Sequence, residues 1–167
     1  HPRVRRQRQM CIRDSKYPSI PYVHQSFLGG NHDERYLDYG IDILKEFADK
    51  KDIYPLGYLQ AFISIDGVSI SLEHENHPFL IECRNLISHD LTIHGHSHIA
   101  LFQDNDVYIP ALGGFLNHKN EKGGEPGFLV MYPYKEKDLV KLEFEHFYLR
   151  DDTFVKEANP YVYKLKK

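Results

Sequence analysis

Cysteine is scarce in this 167-residue chain. There are two, Cys11 and Cys83, and only Cys83 remains once the first fifteen residues are set aside. One thiol excludes an intramolecular disulfide, so a reducing, cytoplasmic location is the expectation. Long apolar runs are also missing. No stretch approaches the roughly 20 residues of a membrane-spanning helix, and no membrane partner is expected. Residues 1–15 lack the apolar core of a signal peptide, so none is expected there. Positive charge is in short supply as well. The whole chain has 21 Lys and Arg against 24 Asp and Glu, whereas residues 16–167 have 16 against 23, a net charge of −7. Such an acidic body lacks the positive footprint for non-specific binding along a nucleic-acid backbone. Nucleic acid remains open as a substrate.

The first fifteen residues differ from the rest. His1 to Ser15 is strongly basic and has no amphipathic period. Arg5 to Ser15 resembles the translation of a transposon-type sequencing adaptor, and His1 to Val4 fits its primer end. Residues 1–15 are therefore expected to be artefactual and are kept out of fold reasoning. The remainder starts at Lys16 without an initiator Met. It is expected to be one partial domain, residues 16–167, truncated at its N-terminus.

What the chain does have is aromatics (12 Tyr and 10 Phe) and an apolar fraction of 41%, which exclude a disordered chain. Val23 to Leu28 predicts a strand running into a Gly29-Gly30 turn. Leu37 to Lys50 has helical spacing. Tyr58 to Ile65 and Val68 to Leu72 flank Asp66-Gly67, a hairpin signal. Pro78 to Ser88 predicts a helix. Leu91 to Ile93 predicts a short buried strand. Ile99 to Phe102 and Val107 to Ile109 predict a hairpin around Asp104-Asn105. Phe128 to Tyr132, Leu139 to Leu149 and Thr153 to Tyr163 predict strands, and Val140, Leu142 and Phe144 share one face. Mixed strands and helices with antiparallel hairpins predict a layered α/β sandwich.

The chemistry sits at strand ends. Gly30-Asn31-His32-Asp33 follows the first strand, His74 the strand ending at Leu72, and Gly95-His96-Ser97-His98 the strand ending at Ile93. Imidazole and amide donors presented this way suit divalent metals, with positions left open for water and substrate. One intervening residue can aim His96 and His98 at neighbouring ions. Two such ions together can generate a nucleophile and clamp a phosphoryl group.

These motifs, in this order, resemble the C-terminal portion of the calcineurin-like metallophosphoesterases, whose pattern runs Asp-x-His, Gly-Asp-x-x-Asp, Gly-Asn-His-Asp/Glu, a lone His, then Gly-His-x-His. The resemblance covers most of residues 23 to 114. It implies an α/β/β/α sandwich and a two-metal hydrolase of phosphomonoesters or phosphodiesters using hydroxide generated on the metals (Mn, Fe, Zn or Ni). By motif position, Asn31, His74 and His96 would bind one metal and His98 the other. His32 would serve the leaving oxygen, and Asp33 would orient His32. Asp-x-His and Gly-Asp-x-x-Asp do not precede Gly30, so three expected ligands are missing. The parent protein is then expected to be the enzyme, with this piece inactive.

His77 competes with His74 for the lone-His role; His74 is favoured because it directly follows its strand. Arg35 is read as a solvated charge that could touch phosphate, and His94 as a satisfied buried histidine or one that supports a ligand, not a ligand itself. His24, His89 and His146 are read as structural or surface residues. Ala111 to Asn117, with His118, occupies the place of a substrate loop. Two rivals to the enzyme stand: a metal-free scaffold of the same fold that binds a protein partner, and a structural zinc site of His74, His96 and His98.

Overall fold

The computed structural model describes residues 21–51, 53–74, 88–112 and 126–166. The predicted helix over Pro78 to Ser88, the competitor His77, and the loop from residue 113 with His118 lie outside them, apart from Ser88 itself. So do residues 1–20, which hold the adaptor-like segment.

Eleven strands and two α-helices are described. Strand β1 (Ser26–Gly29) leads into the single-turn helix α1 (Asn31–Glu34), a 3-10 turn (Leu37–Tyr39) and helix α2 (Ile43–Lys51). The predicted helix from Leu37 is thus broken. Gly40 takes the left-handed conformation (φ 72°), which ends the 3-10 turn. The chain then restarts at Asp42. The Asp42 carboxylate accepts the backbone N–H of Lys45 (3.1 Å) and the hydroxyl of Tyr58 (2.8 Å). The Lys45 bond, then the Tyr58 bond, hold its pKa below the ordinary carboxylate value.

Strand β2 (Tyr54–Tyr58) pairs in parallel with β1, and β3 (Gln60–Ile65) follows at once. The predicted strand from Tyr58 is therefore two strands separated at Leu59, whose φ is 69°. Strand β4 (Val68–Glu73) forms the predicted hairpin with β3; Asp66 (φ 51°) and Gly67 (φ 83°) make the turn. Strand β5 (Leu91–His98) lies parallel to β4, and β7 (Asp106–Pro110) lies parallel to β5 while forming a hairpin with β6 (Leu101–Gln103). The five-stranded order is β3-β4-β5-β7-β6. The second sheet centres on β9 (Leu139–Arg150). Strand β8 (Gly127–Glu136) runs along it, and β10 (Thr153–Lys156) and β11 (Tyr161–Lys166) share its other side. Here too a predicted single strand is two, with Asn159-Pro160 between them.

The two larger sheets face one another. Val68, Ile70, Leu91 and Val107 of the first pack in one cluster with Val140, Leu142, Phe144 and Tyr163 of the second. The alternation read from Leu139 onward has its apolar side in this cluster, and each such aliphatic or aromatic side chain contributes about 1.5–3 kcal/mol. The result is a mixed α/β architecture with two sheets back to back. Among the described residues no helix is long and apolar enough to cross a membrane.

Candidate metal centre

Parallel pairing of β4 with β5 sets the register of the site. Glu73 stands beside His94, so one residue further on His74 comes level with Gly95. Backbone hydrogen bonds bring the third segment in. Leu59 donates its N–H to the carbonyl of Gly29 (2.9 Å), and its carbonyl accepts the N–H of His74 (2.8 Å). Leu59 thus holds the end of β1 against the end of β4, and three strand ends converge, as ligand sites in α/β sheets commonly require.

Asn31, His74 and His96 meet there. His74 Nε2 is 3.0 Å from Asn31 Oδ1 and 3.0 Å from His96 Nδ1. The two imidazoles are edge to face, with centroids 4.7 Å apart. A ring nitrogen has a single hydrogen-bonding position, yet His74 Nε2 has two partners, so one proton cannot satisfy both contacts. A cation facing the three lone pairs would. The spacing also fits, because donors about 2.1 Å from one ion and at right angles to it stand about 3 Å apart. Among the described residues no group of three His, Cys, Asp or Glu side chains is placed to hold a metal; the third donor of this set is an amide. Burial, then the positive potential of His96, lowers the pKa of His74. The neutral imidazole, which is the ligand form, is favoured.

Other residues predicted for the site are arranged differently. His98 is exposed, closes the ladder opposite Pro110, and makes no side-chain hydrogen bond among the described residues. His32 is also exposed. Asp33 accepts the backbone N–H of Gly30 through Oδ2 (3.0 Å), tying down the start of α1. Arg35 is solvated. The strand predicted to stop at Ile93 runs on through the motif to His98, with His96 at φ 73° and His98 at φ 57°. Left-handed backbone at a residue other than glycine costs about 1–3 kcal/mol and gathers at functional sites.

His94 is the buried histidine the sequence predicted, 1% exposed. Its Nε2 lies 2.6 Å from Asp106 Oδ1, and its ring stacks on Tyr108. His146 pairs with Glu157 through Nδ1 (3.0 Å), and His89 lies 2.8 Å from the Thr92 hydroxyl. Two features escaped the sequence. Leu59 gives no signal, because its role is carried by its backbone. Glu73 is 2% exposed, and its Oε1 accepts from Ser71 Oγ (2.9 Å) and Gln60 Nε2 (3.1 Å); alternation grouped it with Ser69 and Ser71 on the polar side of its strand and so gave no sign of its burial.

No protein-family model matches the chain, and no curated protein matches it in sequence. Solved structures do resemble it. A double mutant of Vps29 from Entamoeba histolytica is 18% identical over 83% of this chain and 82% of its own, with a TM-score of 0.51. Vacuolar Protein Sorting 29 from Cryptosporidium parvum is 17% identical, over 89% of this chain and 85% of its own, with a TM-score of 0.49. An archaeal phosphodiesterase is 17% identical, over 77% and 70%, with a TM-score of 0.48. The first likeness is one of fold, and the chain has the calcineurin-like metallophosphoesterase fold.

Proposed function

We propose that Asn31, His74 and His96 form one half of the metal centre of a phosphoesterase whose substrates are phosphomonoesters or phosphodiesters. The observation that carries this is the approach of Asn31 Oδ1 and His96 Nδ1, each within 3.0 Å of His74 Nε2. Divalent ions in such a centre activate water and offset charge on phosphoryl oxygens. The chain's own part is to hold one amide oxygen and two imidazole nitrogens together, with burial favouring the neutral form of His74. His98 belongs to the second ion's set. His32, exposed one residue from Asn31, is free to meet a leaving oxygen and supply its proton. Ligand type does not select among Mn, Fe, Zn and Ni.

Calorimetric titration of the chain with Mn²⁺ or Zn²⁺ tests the reading. Uptake of one ion, lost in His74→Ala and in His96→Ala, supports it; no uptake by the wild-type chain overturns it. Hydrolysis of bis-p-nitrophenyl phosphate is expected to be negligible with this single set loaded, because among the described residues no three His, Cys, Asp or Glu side chains, His98 included, are placed to hold a second ion.

A second reading is a metal-free scaffold of the same fold that binds a protein partner. Exposed apolar side chains at the β6–β7 end of the first sheet, Ile99, Leu101, Ile109 and Leu112, favour it. The same titration separates the two, since a scaffold has no use for the ion.

A further inference from the structure

We propose that Gly30 is a positioning residue for the imidazole of His74, required for the space it leaves and not for its backbone conformation. The proposal rests on the reading of Asn31, His74 and His96 as a donor set.

Gly30 has φ −94° and ψ −179°, an extended conformation open to every residue type. Nothing in its dihedral angles asks for glycine. The reason lies across the site. A Cβ built on Gly30 would stand 2.8 Å from His74 Cε1, 2.9 Å from Nε2 and 3.0 Å from Nδ1. Three nearly equal distances put that methyl over the face of the ring; an approach from the ring edge would leave both nitrogens well beyond the carbon. Carbon atoms pack at about 3.5–4.0 Å, so the ring would have to withdraw.

A second glycine, Gly95, also neighbours the ring, but the contact there is ordinary. A Cβ on Gly95 would be 3.5 Å from His74 Nδ1. The three ring atoms within 3.0 Å would each have to withdraw by about 0.5 Å or more to reach ordinary carbon contact with a Gly30 methyl. The His74 backbone cannot follow, since its N–H is held by the Leu59 carbonyl. Side-chain rotation remains, and rotation carries Nε2 away from Asn31 Oδ1 and His96 Nδ1. Gly30 thus acts through His74 on the metal set, and it sits immediately before the ligand Asn31.

Co²⁺ is the probe, because its absorption reports ligand geometry apart from any turnover. Wild type, Gly30→Ala and Gly95→Ala chains are titrated with Co²⁺, and melting curves are recorded for each. The expectation is at least a tenfold loss of Co²⁺ affinity with altered d–d bands in Gly30→Ala, against less than threefold in Gly95→Ala. A double variant, Gly30→Ala with His74→Asp, replaces the ring by a shorter oxygen donor and is expected to regain Co²⁺ affinity over Gly30→Ala. A measurement on the metal-free wild type keeps the test open if Gly30→Ala does not fold. One Gly30 Hα is expected upfield of the other, shifted by the ring beneath it, and the difference should collapse in His74→Ala. Unchanged affinity and spectrum in Gly30→Ala, or equal shifts for the two Hα protons, overturns the proposal. Absence of Co²⁺ uptake by the wild-type chain removes the metal reading instead, and the Hα shifts then decide the Gly30 contact alone.

Discussion

The carbonyl of Leu59 accepts the backbone N–H of His74 at 2.8 Å, from a residue whose own φ is 69°. Leu59 is also buried, at 7% exposure. One residue thus joins a strained backbone, an apolar side chain and the tether of a candidate metal ligand. Shape at position 59 should matter more than volume. Leu59→Met keeps volume without branching at Cβ and should cost less than about 1.5 kcal/mol. Leu59→Ile puts a β-branched residue at positive φ and should cost roughly 1–2 kcal/mol more. Urea denaturation of the two variants measures the difference, and equal midpoints would contradict the argument.

His98 offers the opposite case. Its φ is 57°, and its side chain is exposed and makes no hydrogen bond among the described residues. His98→Gly should therefore stabilise the chain by about 0.5–1 kcal/mol, through relief of left-handed strain offset by added freedom in the unfolded state. The melting temperature without metal is the measurement. A loss of stability would mean that the His98 side chain makes contacts that matter to the fold.

Metal should stabilise the folded chain. An ion that binds only the native state adds about 2.7 kcal/mol when present at a hundred times its Kd. Melting with and without excess Mn²⁺ should show a clear rise for wild type, a much smaller one for Asn31→Ala, and none for His74→Ala or His96→Ala. Chelation with EDTA should return the wild type to its metal-free melting point. A rise that survives His74→Ala would place the ion elsewhere.

Tyr163 predicts an alkaline limit. Its hydroxyl donates to the carbonyl of Asp106 (3.0 Å), and burial raises its pKa above the ordinary value of 10.0. The folded state thus holds the proton longer than the unfolded chain. The stability from this group is complete below pH 10 and is lost as pH climbs from 10 through the raised folded value. Tyr163→Phe should cost about 0.5–1.5 kcal/mol at neutral pH from the lost hydrogen bond. It should also flatten the decline above pH 10. Denaturant midpoints at pH 7 and above pH 10 check both statements.

The sheet core was legible because burial writes itself into alternation. Val140, Leu142 and Phe144 read as one face from residue type alone, and Asp66-Gly67 named its hairpin because few residues tolerate consecutive positive φ. Boundaries were less legible. The helix predicted from Leu37 begins at Ile43 because Gly40 turns left-handed and Asp42 starts again, with Tyr58 as its distant partner. The strand predicted to stop at Ile93 continues to His98, since pairing with β7 breaks after His94 but resumes at His98 opposite Pro110. In each case the deciding contact lies far away in sequence.

The sequence by itself determined the donor types, their order along the chain and the strand-end positions that suit metal chemistry, because those follow from residue identity and short-range periodicity. Only the tertiary structure decided which donors meet. It joined Asn31, His74 and His96, left His98 and His32 in solvent, and turned Asp33 to its own backbone. The physical reason is register. Parallel pairing of β4 with β5 sets His74 beside Gly95, and the two hydrogen bonds of Leu59 bring the end of β1 to meet them; neither a long-range register nor a backbone tether has a signature in a single sequence.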